Sequence, residues 1–420
     1  MTSPRLLYAL NTLIGPWMTL PVAVLEAMNF LQRGMPWRGE TLWTVDWFAI
    51  ALFIIGPLLA GAAAVDASRL SRAGNIHLVL ATRRPYRPYL RAAAWCAGPV
   101  LVVHLLTIAA ALIIGGVPGN PPWPALTAAV AVQCLAVYWY VAIGSAIGRL
   151  AGPLMAGATA AVFTFTLMHL LGSGSSGRFE PLALGGATVS RLGYQYAPGY
   201  LMAQTVFFTL TGAALLLLPI RLRSGRRTLT AAATLTLVLL AATVIAAQHT
   251  LPARRLVTDA APPTDCTTTA PAVCLYPEHA RFRGQINRHV ATLTAAARSH
   301  GYAALIPERV EELSRTHCVR SPHVSGLQIS ADAYATDEVS LEEVASALTR
   351  PLHCPDFYTD TGPGPAYWQR EFSLYATLLH TAGVRVDPHE FPAAPRILTP
   401  TEVQGIKNDY AACRLVEKPA

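Results

Sequence analysis

The first 252 residues of this 420-residue chain contain no lysine and only five acidic residues, against sixteen arginines. Charged residues make up 13% of the chain and hydrophobic residues 53%, whereas soluble domains carry about 25% charged residues. This shortage of charge is typical of membrane-spanning helices. Residues 253–420 have a net charge of −3, so the overall positive charge belongs to the apolar half and does not indicate nucleic-acid binding.

Several motifs of well-known enzymes are also missing. The sequence has no Gly-x-x-x-x-Gly-Lys-Ser/Thr phosphate loop, no His-Glu-x-x-His metallopeptidase motif and no Gly-x-Ser-x-Gly nucleophile elbow. The apolar segments lack the paired acids and arginines of an ion-coupled transporter. From these absences we expect that the chain has no nucleotide site of its own and binds no cofactor or metal directly. They also leave no positive evidence for catalysis.

Apolar runs long enough to cross a membrane fill the first half of the chain. A spanning helix needs roughly 20 mostly apolar residues. A cleaved signal peptide is disfavoured for the first run because that run is long and contains Pro16 and Pro21. The predicted spans are residues 7–31, 48–68, 93–117, 125–148, 153–172, 201–220 and 228–252.

The arginines predict how these spans are oriented. Residues 69–91 hold six arginines between two apolar runs, and short cationic loops stay on the cytoplasmic side. With the amino terminus inside, the inner segments carry twelve arginines and the outer segments six. An odd number of spans then places the C-terminal part outside. Arg254 and Arg255, which follow the last span, are the exception to this pattern.

Some predicted spans carry ionisable residues, among them Glu26, His104 and His169. Such residues are costly in lipid and often face a transport pathway, so they are candidate pathway residues. The alternative is structural: Glu26 lies near a span end where it can reach water, and single histidines can hydrogen-bond across helices.

The segment between the second and third spans reads LSRAGNIHLVLATRRPYRPYLR over residues 70–91. A charged stretch and a glycine precede a short helix that ends in Leu-Ala-Thr, and a basic turn leads back to the membrane. This resembles the cytoplasmic loop of type-2 ATP-binding-cassette permeases. The matching residues are Arg72, Gly74, Leu78, Leu80, Ala81 and Thr82, followed by the basic Arg83 and Arg84. His77 and Asn75 depart from the family pattern.

The resemblance implies a six-span core, residues 1–227, with both ends inside, the coupling loop 69–91 and an outer insertion, residues 173–200. A separate ATPase would grip the coupling loop and hold the ATP, and the permease would pair with itself or a related chain. A seventh span, residues 228–252, and an outer domain are additions to the family pattern. Residues 173–200 are interpreted either as short interfacial helices anchored by tyrosines or as an ordinary folded loop.

The outer part consists of a linker, residues 253–275, and a small domain, residues 276–420. Apolar spacing predicts helices at Glu278–Ser299, Pro307–Leu313, after Ser340, Ala366–His380 and Thr401–Cys413, with a β element near Leu327–Ile329. Glu311, Glu312, Glu342 and Glu343 are interpreted as solvated helix faces.

Five cysteines lie in the outer part, and an oxidising compartment favours disulfides there. We expect Cys318 to pair with Cys354, and Cys266 to pair with Cys274 or Cys413. His317-Cys318 and His353-Cys354 leave zinc binding as the alternative, together with His279, His289, His323, His380 and His389. The spacing of these residues matches no recognised metal module.

The predicted fold is therefore an all-α polytopic membrane domain of about seven helices, N-terminus in and C-terminus out. A small, mainly helical, disulfide-containing extracytoplasmic domain follows it. The predicted function is the permease subunit of an ATP-driven exporter in the cell membrane, moving a peptide, lipid or drug-like cargo. The alternatives are a membrane-anchored receptor or sensor whose outer domain binds a ligand or protein, and a membrane enzyme with its site in the outer domain.

Overall fold

The computed structural model describes residues 9–32, 34–72, 74–81, 86–117, 121–152, 154–173, 182–197, 199–217, 255–258, 261–314, 319–354, 365–386 and 395–415. Within them the chain is mostly helical. The seventh predicted span, residues 228–252, lies outside the described residues.

The first half of the chain is built from helices of very different lengths. A 3-10 turn at Gly15–Met18 precedes them. The helices are α1 (Thr19–Phe30), α2 (Thr41–Leu70), α3 (Ile76–Leu80), α4 (Arg87–Gly115), α5 (Trp123–Leu150), α6 (Ala156–Ser173) and α7 (Tyr200–Leu217). Of these, α2, α4 and α5 are long and apolar enough to cross a membrane, while α6 and α7 are shorter apolar helices. Large apolar side chains such as Leu106, Ile113 and Val162 are exposed, as expected for helices that face lipid.

The first predicted span is interrupted near its beginning. Residues 9–12 are helical, and the 3-10 turn and α1 follow. Pro16 cannot donate a backbone hydrogen bond. The buried carboxylate of Asp66 on α2 accepts the N–H groups of Ile14 and Gly15 at 2.9 and 2.8 Å. The break therefore has its backbone donors satisfied by a side chain from a neighbouring helix.

The centre of the bundle is the contact between α2 and α5. A Cβ atom added at Gly144 or Gly148 would lie 2.1 Å from the backbone oxygen of Ala60 or Ala64. The two helices thus touch backbone to backbone along a Gly-x-x-x-Gly stripe, an arrangement that small residues make available in membranes. Substituting either glycine would force α2 and α5 apart.

The second half forms a C-terminal domain, residues 261–415, that mixes a sheet with helices. Its helices are α8 (Arg283–Ser299), α9 (Ala331–Thr336), α10 (Leu341–Thr349), α11 (Pro365–Thr381) and α12 (Pro400–Ala411), with 3-10 turns at Pro277–Phe282 and Ala303–Leu305. Its strands are β3 (Asp265–Cys266), β4 (Ala272–Leu275), β5 (Arg309–Glu312) and β6 (Val324–Leu327). The sheet order is β3-β4-β5-β6, antiparallel between the first two strands and parallel thereafter.

Local sequence signals explain several of these helices. The Ser340 side chain accepts the Glu343 N–H at the start of α10, and Thr399 and Glu402 form a reciprocal capping box at the start of α12. On α8, Ile286, Val290 and other residues at spacings of three and four are buried in the core, as the periodicity predicts.

The sheet overturns two expectations. Residues 265–275, expected to belong to a linker, contain β3 and β4, and the expected helix Pro307–Leu313 is the strand β5. Val310 and Glu312 point to the buried side of β5 while Arg309 is exposed. β4 and β6 pair with the two edges of β5, and this pairing outweighs the helix preference of a Glu-rich stretch. Alternate side chains of a strand point to opposite faces of the sheet, which explains the alternation in burial. The C-terminal domain is therefore α+β.

In the 173–200 segment, the described residues 183–193 are irregular and a short strand follows them. Leu182, Leu184 and Leu192 are buried. A strand, β1 (Tyr194–Tyr196), pairs antiparallel with β2 (Leu256–Thr258). Leu182 and Leu184 belong to the buried hydrophobic cluster of the helix bundle, so they pack on the helices.

Two disulfides lie in the C-terminal domain. Cys266 is bonded to Cys274, one of its two expected partners, across β3 and β4. Cys354 is bonded to Cys413, so the expected Cys318–Cys354 bond is wrong. The turn after α12 brings Cys413 within 5.4 Å of Cys354, measured between Cα atoms, which is the usual separation for a disulfide. Cys318 lies outside the described residues.

A single hydrophobic core joins the C-terminal domain to the helices. Trp43, Trp47 and Phe48 from the N-terminal end of α2 belong to the same buried cluster as Phe282 and Leu327 of the domain. The Trp43 and Tyr334 rings meet edge to face with centroids 5.3 Å apart. The two halves, expected to be separated by a linker, therefore pack directly on each other.

Candidate functional site

The candidate site lies where the C-terminal domain packs on α2, a contact that we call the junction. The connector between α1 and α2 positions this site. Residues 34–40 run along the surface of the C-terminal domain. A Cβ atom at Gly34 would lie 2.1 Å from the Ala335 backbone oxygen, and one at Gly39 would lie 2.1 Å from that of Glu278. Both glycines also have positive φ, +77° and +89°, a conformation that other residues adopt at a cost. The connector is thus shaped for close backbone contact with the domain.

Glu40, the last residue of this connector, belongs to a buried ionic cluster. The His279 Nε2 atom donates to Glu40 Oε1 at 2.9 Å, and its Nδ1 atom donates to Glu312 Oε1. The Tyr334 hydroxyl oxygen lies 3.2 Å from His279 Nε2. The histidine is 0% exposed, and Glu312 and Glu40 are 1% and 3% exposed. One buried imidazole therefore links the start of α2 to β5.

The second oxygen of each carboxylate is also satisfied. Glu40 Oε2 accepts the Arg191 backbone N–H at 2.8 Å, and Glu312 Oε2 accepts the Tyr276 N–H at 2.8 Å. Through Arg191 the cluster also reaches the 173–200 loop. The cluster therefore ties together three segments that are far apart in sequence, and it leaves no oxygen of its two carboxylates without a donor.

The two carboxylates determine the charge of the histidine. Burial by itself would lower the His279 pKa, but the Glu312 and Glu40 carboxylates outweigh burial and raise the pKa to about 10. Both ring nitrogens are donors only in the imidazolium form, which agrees with this geometry. Burial, followed by the Glu40 and Glu312 charges, raises the pKa of Tyr334, so its phenol stays protonated.

A second ionic cluster lies beside the first. The Asp46 carboxylate on α2 accepts from the Tyr196 hydroxyl at 2.8 Å and pairs with Arg255 and, at 3.4 Å, with Arg191. Asp46 is 2% exposed. Arg255 is one of the two arginines that depart from the predicted inside-outside distribution of arginines. Its charge is compensated by Asp46 of α2.

A cavity of about 370 Å³ opens next to these clusters. The buried rings of Trp43, Trp47 and Tyr334 line its floor, and the exposed side chains of Gln32 and Gln328 lie at its mouth. Both indole N–H groups are already used: Trp43 donates to the Ala187 oxygen at 3.0 Å, and Trp47 donates to the Asn29 oxygen at 3.1 Å. The cavity thus has the size and the apolar floor of a small-molecule site.

Within the helix bundle, the structure brings together two of the three predicted pathway residues. His104 Nδ1 lies 2.6 Å from Glu26 Oε1, and His104 Nε2 lies 2.9 Å from Gln133 Oε1. The Gln133 amide nitrogen in turn donates to the Val45 oxygen at 2.9 Å. Glu26, His104 and Gln133 are all buried, whereas His169 on α6 is exposed.

The 69–91 segment contains the short helix α3 where the resemblance places one. Val79 of α3 is buried against Ala67 and Tyr89, which belong to α2 and α4. Arg72, Gly74 and Ala81 are exposed, and Leu78 and Leu80 lie on α3. Thr82, Arg83 and Arg84 lie outside the described residues.

The histidine and cysteines that suggested zinc are also close together in space. Ligand atoms of His353, Cys354 and Cys413 lie within 4.8 Å of one another. Because the two sulfurs are bonded to each other, they are not available as thiolate ligands.

Sequence reasoning missed the junction cluster. Glu312 was interpreted as solvated, yet it is 1% exposed, and His279 was considered only as a metal ligand. Glu40 and His279 are separated by 239 residues. The one available signal was the alternation in Arg309–Glu312, which places Glu312 on the same face as Val310.

Comparisons of the chain with protein-family models, with curated protein sequences and with solved structures gave no match.

Proposed function

We propose that this chain is the membrane-spanning permease subunit of an ATP-driven exporter. A separate ATPase subunit would bind ATP and supply the energy, and the permease would act as a homodimer or with a related permease. The chain has no phosphate loop of its own, so the work has to be delivered through a contact. The cargo class, whether peptide, lipid or drug-like molecule, is left open.

The observation that carries this proposal is the short helix α3 between two membrane-length helices. A helix of five residues is marginal by itself, but the burial of Val79 against Ala67 and Tyr89 holds it to both neighbours. The Tyr89 hydroxyl also lies 2.8 Å from the Ser71 hydroxyl. A partner that moves α3 would therefore move the adjoining ends of α2 and α4.

The proposed topology has seven spans in a cell membrane, with the amino terminus inside and the C-terminal domain outside. The arginine distribution supports it, and two disulfides in the C-terminal domain suit an oxidising compartment. The ion pair between Arg255 and Asp46 supplies a reason for a basic residue to follow the last span on the outer side.

The test is purification of the detergent-solubilised chain from its native cells, followed by identification of the proteins that accompany it. We expect an ATPase that carries a phosphate loop to co-purify with the wild type. It should be lost from a variant in which Leu78, Leu80 and Arg83 are replaced by Asp.

A matched control replaces Val189, Ile397 and Arg288 by Asp. These are again two apolar residues and one arginine, and Val189, Ile397 and Arg288 are all exposed and far from α3 in sequence. The control should keep the ATPase. If neither the wild type nor the control retains an ATPase, the 69–91 segment acts only as a topology signal and the exporter proposal is wrong.

A membrane-anchored receptor or sensor is the second candidate. The direct packing of the C-terminal domain on α2, with a cavity at the contact, favours it, because a ligand there would touch the domain and the helices at once. Ligand binding by the whole chain without any ATPase partner would favour the receptor, whereas ATPase activity stimulated by the chain would favour the exporter.

A further inference from the structure

The cavity at the junction has features of a binding site that the permease proposal does not use. Its walls come from the α1–α2 connector, the 173–200 loop and the C-terminal domain together. Ligand pockets in proteins measure about 300–1,000 Å³ and often lie between domains. This one, at about 370 Å³, is large enough for a ligand of up to about three rings.

One polar group in the wall lacks a protein partner. The amide nitrogen of Asn29 is buried and, within the described part of the chain, has no hydrogen-bond acceptor. Asn29 lines the cavity. A buried donor without an acceptor costs about 1–3 kcal/mol, and a ligand oxygen in the cavity would remove that cost.

The residues that line the cavity also disfavour a charged ligand. None of the described residues that line the cavity carries a charged side chain. Among the described residues, the ionic groups of the two junction clusters are paired among themselves: His279 with Glu40 and Glu312, and Asp46 with Arg255. A charged ligand would lose its hydration without gaining a counter-charge, whereas an uncharged one loses much less.

The floor and the mouth differ in polarity, and this difference defines an orientation. The ring faces of Trp43 and Trp47 offer an apolar surface at the bottom, and Gln32, Thr188 and Gln328 offer amides and a hydroxyl at the opening. The apolar end of a ligand would lie on the indoles while its hydroxyl or carbonyl groups would lie near the mouth.

We propose that this cavity binds a small uncharged amphipathic molecule whose oxygen accepts a hydrogen bond from Asn29. Tyr334 lines the same cavity and contacts His279, so an occupant would contact the side chain that adjoins the buried ionic cluster. The proposal is independent of the ATPase partnership, because binding requires only this chain.

The test uses the full chain in nanodiscs of zwitterionic lipid and the fluorescent probe 4-methylumbelliferyl β-D-glucoside. Equilibrium dialysis measures its Kd. The matched anionic probe is 3-carboxyumbelliferyl β-D-glucoside, which keeps the sugar and places a carboxylate on the aromatic end that lies on the cavity floor. We expect saturable binding of the methylumbelliferyl glucoside and binding of the carboxylated glucoside weaker by about tenfold or more, since an unpaired buried charge is costly.

Two variants locate the binding. Asn29→Asp removes the donor with little change in shape, and Ala331→Trp fills the mouth. Each should weaken glucoside binding about tenfold or more, the effect of a lost hydrogen bond or a blocked site. The controls Asn408→Asp and Ala411→Trp are the same exchanges at exposed positions of α12 that do not line the cavity, and they should stay within about twofold.

Three results would overturn the proposal: no saturable binding of the methylumbelliferyl glucoside, equal binding of the carboxylated glucoside, or unchanged binding in both cavity variants. The thermal unfolding midpoint of each variant shows whether it is folded. If Ala331→Trp does not fold, the near-isosteric Asn29→Asp decides the outcome alone. None of these readouts involves an ATPase, so a negative result here leaves the exporter test unaffected.

Discussion

Within the described residues, two histidines are buried beside carboxylates, one at the junction of the halves and one inside the helix bundle, and the two have different partners. His279 lies between the carboxylates of Glu40 and Glu312. His104 lies between the Glu26 carboxylate and the Gln133 amide oxygen. A histidine between two carboxylates has to donate from both nitrogens, so His279 is an imidazolium below its raised pKa of about 10.

The cluster in the helix bundle, formed by Glu26, His104 and Gln133, contains only one carboxylate. Because the Gln133 amide nitrogen donates to Val45, its oxygen faces His104 and Nε2 carries a proton. Nδ1 faces a single carboxylate, that of Glu26, so the geometry of this cluster does not require both ring nitrogens to donate. This suits a bundle of apolar helices, where net charge is expensive. The comparison teaches that two acids around a histidine require it to donate from both nitrogens, whereas one acid and one amide do not.

The largest effect should come from removing the junction histidine. His279→Ala leaves Glu40 and Glu312 buried without a counter-charge, and breaking a buried ionic group in this way costs about 3–5 kcal/mol. Thermal or denaturant unfolding of the purified chain measures the loss, and limited proteolysis should show an exposed C-terminal domain. His380→Ala, at an exposed position, is the control.

The same substitution in a background of Glu40→Gln and Glu312→Gln should cost less than half as much, because no buried charge is then left behind. Equal costs in both backgrounds would show that the histidine acts through packing and not through charge.

The second prediction concerns pH. The folded-state pKa of His279 is raised from 6.5 to about 10, so above pH 6.5 the unfolded state releases a proton that the native state keeps. The stabilisation is complete below pH 6.5 and is lost as the pH rises through about 10, with a slope of about −1.4 kcal/mol per pH unit. The free energy of unfolding, measured between pH 6 and 10 for the wild type and for His279→Ala, tests this. A parallel decline in both proteins would assign the slope to other groups.

The third prediction tests the neighbouring cluster. Asp46→Asn keeps the shape of the side chain but leaves Arg255 and Arg191 close together without a carboxylate. We expect a loss of about 3 kcal/mol, smaller than that at His279 because both arginines retain partial contact with water. Asp332→Asn, at an exposed position of α9, should change the unfolding free energy by less than about 0.5 kcal/mol. An equal loss in the two variants would argue against a specific ion pair.

The smallest effect should come from the bundle. In Glu26→Gln, neutral His104 can accept at Nδ1 from the new amide and still donate from Nε2 to Gln133, so only about 1 kcal/mol should be lost. Glu26→Leu removes the partner of Nδ1 and should cost about 2 kcal/mol. If Glu26→Gln were as damaging as His279→Ala, the bundle would also require a fixed charge, and the distinction between the two histidines would fail.

Much of the helical architecture followed from the sequence. The second, third and fourth predicted spans coincide with α2, α4 and α5, the membrane-length helices of the structure. Helix α8 has the predicted periodicity, and the predicted cap at Ser340 is present. These features rest on contacts between residues three or four positions apart, which a pattern in the sequence records directly.

The strand β5 shows where such reasoning fails. Arg309–Glu312 is a stretch of residues that favour helices in isolation, yet it pairs with β4 on one side and β6 on the other. The partners lie elsewhere in the chain, so the local preference could not show that the sheet would prevail. The burial of Glu312 follows from that sheet, and the junction cluster follows from the burial.

By itself, the sequence determined the apolar helices, the arginine-rich 69–91 segment and the cysteine-bearing C-terminal half, because composition and short-range periodicity act within a few residues. Only the tertiary structure decided that Cys354 bonds to Cys413, that Glu40 and His279 meet, and that the C-terminal domain and α2 share one core with a cavity beside it. The physical reason is that burial of charge and closure of a cavity depend on partners brought together from distant parts of the chain, and no local pattern specifies them.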